Sequence, residues 1–254
     1  MPPARSPLRL DISPRRPEGA DADVVLRLLD GFGVEAAGAR VELPASAQRV
    51  VAFVALHERP VLRSYVAGSL WLDWPEARAA GNLRSALWRI QRQTPLLIEA
   101  DARMLRLVPE VRVDLREAEG LARRELDGEG VGGFEPRRLA VDLLPDWYDD
   151  WVLIERERFR QLRLRALEAL CERRAREGRL GEALEAGLLA LAGEPLRESA
   201  HRALVLVHLA DGNAAEALRQ YALCRTLLRD QLGLEPSERM RELVAGLDAA
   251  NTNG

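Results

Sequence analysis

Hydrophobic and polar positions change their spacing along this chain, and the change marks out two halves. From residue 24 the apolar runs are short. Val24–Leu29, Val34–Ala36 and Arg40–Leu43 read as three strands of a small antiparallel meander, broken by Asp30, Gly31 and Gly33 and by a tight turn at Gly38. Pro44-Ala-Ser46 then opens a helix with Ser46 as its expected N-cap. Val50, Val51, Phe53, Val54 and Leu56 make that helix the apolar centre of its unit, and it ends near His57–Pro60. Val61–Trp71 reads as a second helix with Tyr65, Val66, Leu70 and Trp71 facing inward, and Asp73-Trp-Pro75 forces a turn. A third helix follows and stops at Pro95. Leu96–Glu99 and Met104–Val108 flank Ala100–Arg103 as strand, turn, strand, and Val111–Val113 closes the unit.

The third helix carries the first chemical signal. Its segment Asn82–Gln93 contains three arginines and no acid. At about 100° per residue, Leu83, Leu87 and Ile90 fall within an arc of roughly 60°. Arg84, Ser85, Trp88, Arg89 and Arg92 fan over the opposite side. One face can pack on a small core while the other presents guanidinium, hydroxyl and indole groups. A DNA major groove admits one α-helix, and arginine is the side chain best matched to guanine edges. A solvated surface helix shows the same pattern, so the segment alone leaves both readings open.

Beyond residue 113 the period becomes helical. Asp114–Arg124 is amphipathic. Gly128, Gly130, Gly132 and Gly133 mark an expected flexible break. Trp147 and Trp151 lie one helical turn apart, a spacing that anchors a helix in a core. From about residue 150 to 248 the pattern stays helical, with Glu155-Arg-Glu-Arg158 expected on a solvated face. Gly178–Leu184 and Gly212–Leu218 repeat one another at an offset of 34 residues, as do Ala166 and Ala200, Ala183 and Ala217, and Leu170 and Leu204. That is the tetratricopeptide period: small residues where helices approach, leucine filling the gaps.

Length and charge sharpen this picture. At 254 residues the chain is expected to form two domains, 23–113 and 114–248, with disordered tails at 1–22 and 249–254. All 37 basic residues are arginine and the net charge is -3. Residues 1–114 hold 16 arginines against 14 acids, and the remainder 21 against 26. A mildly basic first half and an acidic second half fit a DNA-contacting module joined to a regulatory one. Cys171 and Cys224 form neither a disulfide framework nor a zinc spacing, so a cytoplasmic location is expected. No apolar run approaches membrane-spanning length, and the first residues lack the apolar core of a signal peptide. Without lysine no phosphate-binding Gly-x-x-x-x-Gly-Lys loop can occur, and no nucleophile–base set or metal-ligand spacing is found. His201 and His208, seven residues apart, read as packing or capping residues. No enzyme activity, cofactor or metal is expected.

Two stretches carry a resemblance. Leu-Pro-Ala-Ser-Ala-Gln-Arg at 43–49, Leu-Trp at 70–71, Asn-Leu-Arg-Ser-Ala-Leu-Trp-Arg at 82–89 and Arg-Leu-Val-Pro at 106–109 resemble the OmpR-type winged-helix DNA-binding domain. Leu-Leu-Pro-Asp-Trp-Tyr-Asp-Asp-Trp at 143–151, Glu-Pro-Leu-Arg-Glu-Ser-Ala-His-Arg at 194–202 and Gln-Leu-Gly-Leu-Glu-Pro-Ser at 231–237 resemble the bacterial transcriptional activator domain. Together the two halves resemble the Streptomyces antibiotic regulatory protein family. The resemblance implies a mixed, mostly α fold: an N-terminal winged helix-turn-helix with a small antiparallel sheet, then an all-α tetratricopeptide-like repeat domain. It implies a transcriptional activator that binds double-stranded DNA as a homodimer on direct repeats near a promoter's -35 element. It also implies recruitment of RNA polymerase through the sigma and alpha subunits. By position it makes Arg84, Ser85, Trp88, Arg89 and Arg92 base or phosphate contacts, puts Arg103 at the wing tip, and makes Arg49 and Arg63 phosphate anchors. Glu99 and Asp101 put acid beside the wing, which is expected to weaken its hold on phosphate. An interaction scaffold or a small-molecule sensor without strong DNA binding is the alternative.

Overall fold

The structure, a computed structural model, describes residues 23–130 and 135–251. The expected tail at 1–22, Gly132 and Gly133 of the expected flexible break, and residues 252–254 lie outside the described residues.

The head begins with strands β1 (Val24–Arg27), β2 (Gly33–Ala36) and β3 (Ala39–Arg40), paired antiparallel in sequence order. Val24 and Leu26 point into the core, while Arg27 pairs across the strands with Glu35 at 2.9 Å. Gly38 makes the β2–β3 turn at φ +76°, a conformation free of Cβ strain only in glycine. Helix α1 (Ala45–Ala55) starts one residue before the expected Ser46 cap. Pro44 is its N-cap instead, its carbonyl accepting from Ala47 and Gln48, because proline's fixed φ already suits a helix start.

The expected helix from Val61 to Trp71 is shorter at both ends. Val61–Leu62 is strand β4, helix α2 spans Arg63–Leu70, and Trp71 lies beyond its last turn. Tyr65, expected inside, is exposed, although its ring packs 5.6 Å from Phe53. Tertiary pairing overrides local propensity here: β4 is taken up by β6 (Met104–Leu107), with Val61 opposite Leu105. Helix α3 (Glu76–Gln93) follows, then β5 (Ile98–Ala100), so the wing is the three-stranded sheet β4-β6-β5. Strand β7 (Arg112–Val113) returns to the first sheet and pairs parallel with β1 at its free edge.

Helix α4 (Asp114–Leu126) starts directly after β7. The Asp114 carboxylate accepts from the N–H groups of Leu28 and Leu29, at 2.9 and 3.1 Å, and from Leu115, tying the end of β1 to the helix start. Burial pushes its pKa up, and those three N–H bonds oppose the shift. After a 3-10 turn at Pro136–Leu139, helices α5 (Asp150–Arg176), α6 (Leu180–Gly193), α7 (Glu198–Ala210) and α8 (Ala214–Leu232) form two antiparallel pairs. Helix α9 (Glu238–Asn251) packs on α7 and α8. It runs three residues past the expected limit at 248, Ala249 and Ala250 being strong helix formers.

The 34-residue period is physical. Ala166, Ala183, Ala200, Ala217, Leu170 and Leu204 are all buried where helices meet. The turns closing α5 and α7 are the same motif. Gly178 and Gly212 adopt φ +75° and +71°, and the next N–H, of Arg179 or Asn213, bonds back to Arg174 or His208 at 2.9 or 2.8 Å. This is the Schellman arrangement of a glycine-terminated helix.

Residues 139–152 lock the repeats to the head. Leu143 bridges Leu29, and Asp30 N–H and Leu144 N–H bond to Asp142 O and Leu28 O at 2.9 Å each. Trp147 precedes α5 rather than lying within it. Its ring stacks on Phe32 at 5.8 Å, while Trp151 meets Phe53 edge-on at 5.2 Å and Trp147 at 6.3 Å. Arg156, expected in solvent, turns inward and donates to the carbonyls of Leu143, Leu144 and Trp147. Leu144 adopts φ +41° in this strap, and its carbonyl is one of the three that accept from that guanidinium. Arg163, 2% exposed, binds Asp142 and the Leu139 carbonyl in the same way. One hydrophobic core therefore runs unbroken from β1 through α1, α4 and α5 to α7.

Candidate nucleic-acid interface

Helix α3 is held by Ala79, Leu83, Ala86, Leu87 and Ile90, all buried against α1 and α2. Its outer side carries Arg84, Ser85, Trp88, Arg89 and Arg92, every one exposed. Among the described residues none of these three arginines is in an ion pair. The Arg92 guanidinium lies 5.4 Å from the centre of the Trp88 ring, and the Ser85 hydroxyl donates to the Gly81 carbonyl at 3.1 Å. The face is therefore cationic and unblocked by the repeats, the state in which guanidinium groups remain free for an anionic partner.

Arg78 joins this face and was not singled out from the sequence. It is exposed, and its guanidinium sits 3.8 Å above the Trp74 ring. The signal was its phase: starting the helix at Glu76 puts Arg78 at an angle between Ser85 and Arg89. Between α2, the first turns of α3 and the wing tip lies a cleft of about 640 Å³, with Arg63, Arg84, Trp71 and Trp74 in its walls.

The wing tip is built differently from expectation. Asp101 accepts from the N–H groups of Arg103 and Met104 at 2.6 and 2.7 Å. Those bonds, with Arg63 nearby, hold its carboxyl below the usual carboxylate range. Glu99 pairs with Arg106, directly opposite on β6. Both acids expected to repel phosphate are thus engaged within the hairpin. Arg103 is exposed at the tip.

Arg63 is half-buried: its backbone N–H donates to Arg103 O at 2.8 Å and its guanidinium to Asp101 O at 2.9 Å. It fastens the wing turn to the start of α2. Arg49 presents no free guanidinium, being paired with Asp149 at 2.5 Å at the junction of head and repeats. Neither contact could be read from local sequence, because each partner lies far away in the chain. Arg84, Ser85, Trp88, Arg89, Arg92 and Arg103 are thus presented outward, while Arg49 and Arg63 are held by internal contacts.

Among the described residues no group of three or more histidine, cysteine, aspartate or glutamate side chains could hold a metal ion, and no helix is long and apolar enough to cross a membrane. His201 sits 1% exposed on α7. Its Nε2 donates to the Pro195 carbonyl at 2.9 Å, so Nδ1 is left to accept from Gln220 at 2.6 Å. It is a packing residue in its neutral form.

Residues 113–247 match the bacterial transcriptional activator domain family. The chain is similar to the regulatory protein AfsR of Streptomyces coelicolor, 28% identical over 187 residues, covering 69% of this chain and 19% of that protein. It is also similar to AfsR of Streptomyces griseus, 27% identical over 197 residues, covering 71% of this chain and 20% of that protein. It spans about a fifth of the length of these relatives. Among solved structures, that of Mycobacterium tuberculosis EmbR in complex with a low-affinity phosphopeptide shares the fold. Its TM-score is 0.71 at 20% identity, over 91% of this chain and 66% of that one. A winged-helix head fused to this repeat domain makes the chain a member of the bacterial transcriptional activator domain family, a transcriptional regulator of the Streptomyces antibiotic regulatory protein type.

Proposed function

We propose that this regulator is a sequence-specific DNA-binding activator. In this reading α3 lies in the major groove, residues 23–113 form the DNA-binding unit, and residues 114–248 form the activating unit. The observation that carries it is the outward, unpaired arginine face of α3, set beside a wing whose acids are already engaged. Arg84, Arg89 and Arg92, with Ser85 and Trp88, read bases or adjoining phosphates, and Arg103 meets the flanking backbone. Phosphate contacts supply affinity and base contacts supply specificity. Arg63 acts on phosphate through the wing it positions. Arg49 reaches phosphate only by leaving Asp149.

Two copies bind as a homodimer on direct repeats near a -35 element and recruit RNA polymerase through sigma and alpha subunits. Exposed Leu72 and Trp74, next to the reading helix, offer apolar surface for a protein on adjoining DNA. The protein works in the cytoplasm, without catalysis or cofactor. Footprinting on the region upstream of neighbouring operons is the test. A protected direct repeat that permits activated transcription in vitro supports the proposal; no protection at low salt rejects it.

A further inference from the structure

Trp88 has no structural reason to be where it is. With 59% of its surface exposed it is the most open of the five tryptophans. Trp71, Trp147 and Trp151 are partly buried, and Trp74 lies under Arg78. Trp88 has no aromatic partner among the described residues, and its ring contact is the Arg92 guanidinium. Its neighbours one helical turn away on either side are Arg84 and Arg92. A large apolar ring at the middle of a cationic face leaves most of its surface in water instead of in the core. Arg92 covers one side of the indole and leaves the rest open.

We propose that Trp88 reads the 5-methyl group of thymine, which deepens the reading of α3 as the major-groove helix and rests on it. The major groove offers one apolar group, that methyl, and apolar side chains recognise it by contact. The indole N–H is a donor only, so it cannot distinguish the guanine and adenine acceptor patterns as a bidentate arginine does. Arg84 stands four residues before Trp88, about 6 Å along the helix axis, or on the order of two base-pair steps. With α3 running along the groove, the target is a duplex site in which a thymine lies about two pairs from a guanine read by arginine.

The test uses the full chain and sites selected in vitro from a random duplex library. In a selected site, each thymine is replaced in turn by deoxyuridine, which removes the methyl and leaves every hydrogen-bonding group. Substitution at one position is expected to weaken binding by about fourfold, the worth of one buried methyl. The same substitution should cost Trp88→Ala nothing, and Trp88→Phe should keep part of the discrimination. If sites are selected but deoxyuridine is tolerated at every position, or if Trp88→Ala keeps the full penalty, the thymine assignment is overturned while DNA reading stands. If no site is selected at all, the reading of α3 beneath it has failed as well.

Discussion

Gly187 marks the tightest approach in the repeat stack, and replacing it tests the packing directly. It lies mid-way along α6, between α5 and α7. A Cβ there would meet Leu204 Cδ2 at 2.5 Å, Leu204 Cγ at 3.0 Å and Cys171 Sγ at 3.2 Å. Carbon atoms rest comfortably at about 3.5–4.0 Å, so Leu204 must retreat by about 1 Å. Leu204 and Cys171 are both fully buried and have nowhere to go. Overpacking of this kind costs about 1–3 kcal/mol. An overlap of about 1 Å with two fully buried side chains falls in the upper part of that range, about 2–3 kcal/mol, and alanine's better helix propensity returns about 1 kcal/mol, leaving a net loss of about 1–2 kcal/mol for Gly187→Ala. Gly181 is the internal control: same helix, exposed, and nothing within 4 Å of its added Cβ. Gly181→Ala should gain up to about 1 kcal/mol. Urea unfolding followed by circular dichroism reads both, and melting should move by about 2–4 °C per kcal/mol in opposite directions. A Gly187→Ala protein as stable as the parent would refute the close approach of α6 to α7.

Three more outcomes follow from buried groups. Glu125, 4% exposed, gives both carboxylate oxygens to Arg173 at 2.8 and 2.7 Å, joining α4 to α5. Glu125→Ala should cost about 2–4 kcal/mol in urea unfolding, because Arg173 loses its buried partner and keeps only Glu177; a loss below about 0.5 kcal/mol would show the pair to be idle. Burial holds the His201 pKa below its ordinary 6.5, against the raising effects of Pro195 and Glu198. The unfolded chain thus binds more protons as pH falls below 6.5, so the stability this residue contributes is present above that pH and lost below it. The difference in stability between pH 7.5 and 5.5 should be smaller in His201→Gln, and an equal difference in both proteins would contradict the assignment. Burial also pushes the Cys171 thiol up to about 12 and Cys224 up to about 11. Ellman's reagent at pH 8 should find neither thiol in the native protein and both in denaturant, whereas prompt native reaction would place them at the surface.

Local periodicity made the outward face of α3 legible. Leu83, Leu87 and Ile90 form a stripe at helical spacing, so the opposite arginines had to face out once that stripe was buried. The repeat was legible for a similar reason: alanine and leucine recur at equivalent packing positions. What escaped depends on distant partners. Val61 reads as helix until β6 is placed beside it. Arg156 reads as solvated until three carbonyls of the preceding strap converge on it, and Arg49 reads as free until Asp149 arrives. The tryptophan spacing at 147 and 151 gave the right role, packing, and Trp151 does anchor α5, but Trp147 lies before that helix and both rings find their partners, Phe32 and Phe53, in the head. Arg78 was missed because the helix was judged from its arginine-rich end only.

The central claim is that the guanidinium side of α3 reads a duplex. Its most direct test is the salt dependence of affinity for one selected site, for the parent, Arg84→Ala and Arg89→Ala. If each arginine reads a base, its loss costs about 1–3 kcal/mol and leaves the slope of log affinity against log salt unchanged; if it holds phosphate, the slope falls by about 1. At least one variant is predicted to lose about tenfold or more in affinity. Parental affinity and parental slope in both would mean that another surface meets the DNA.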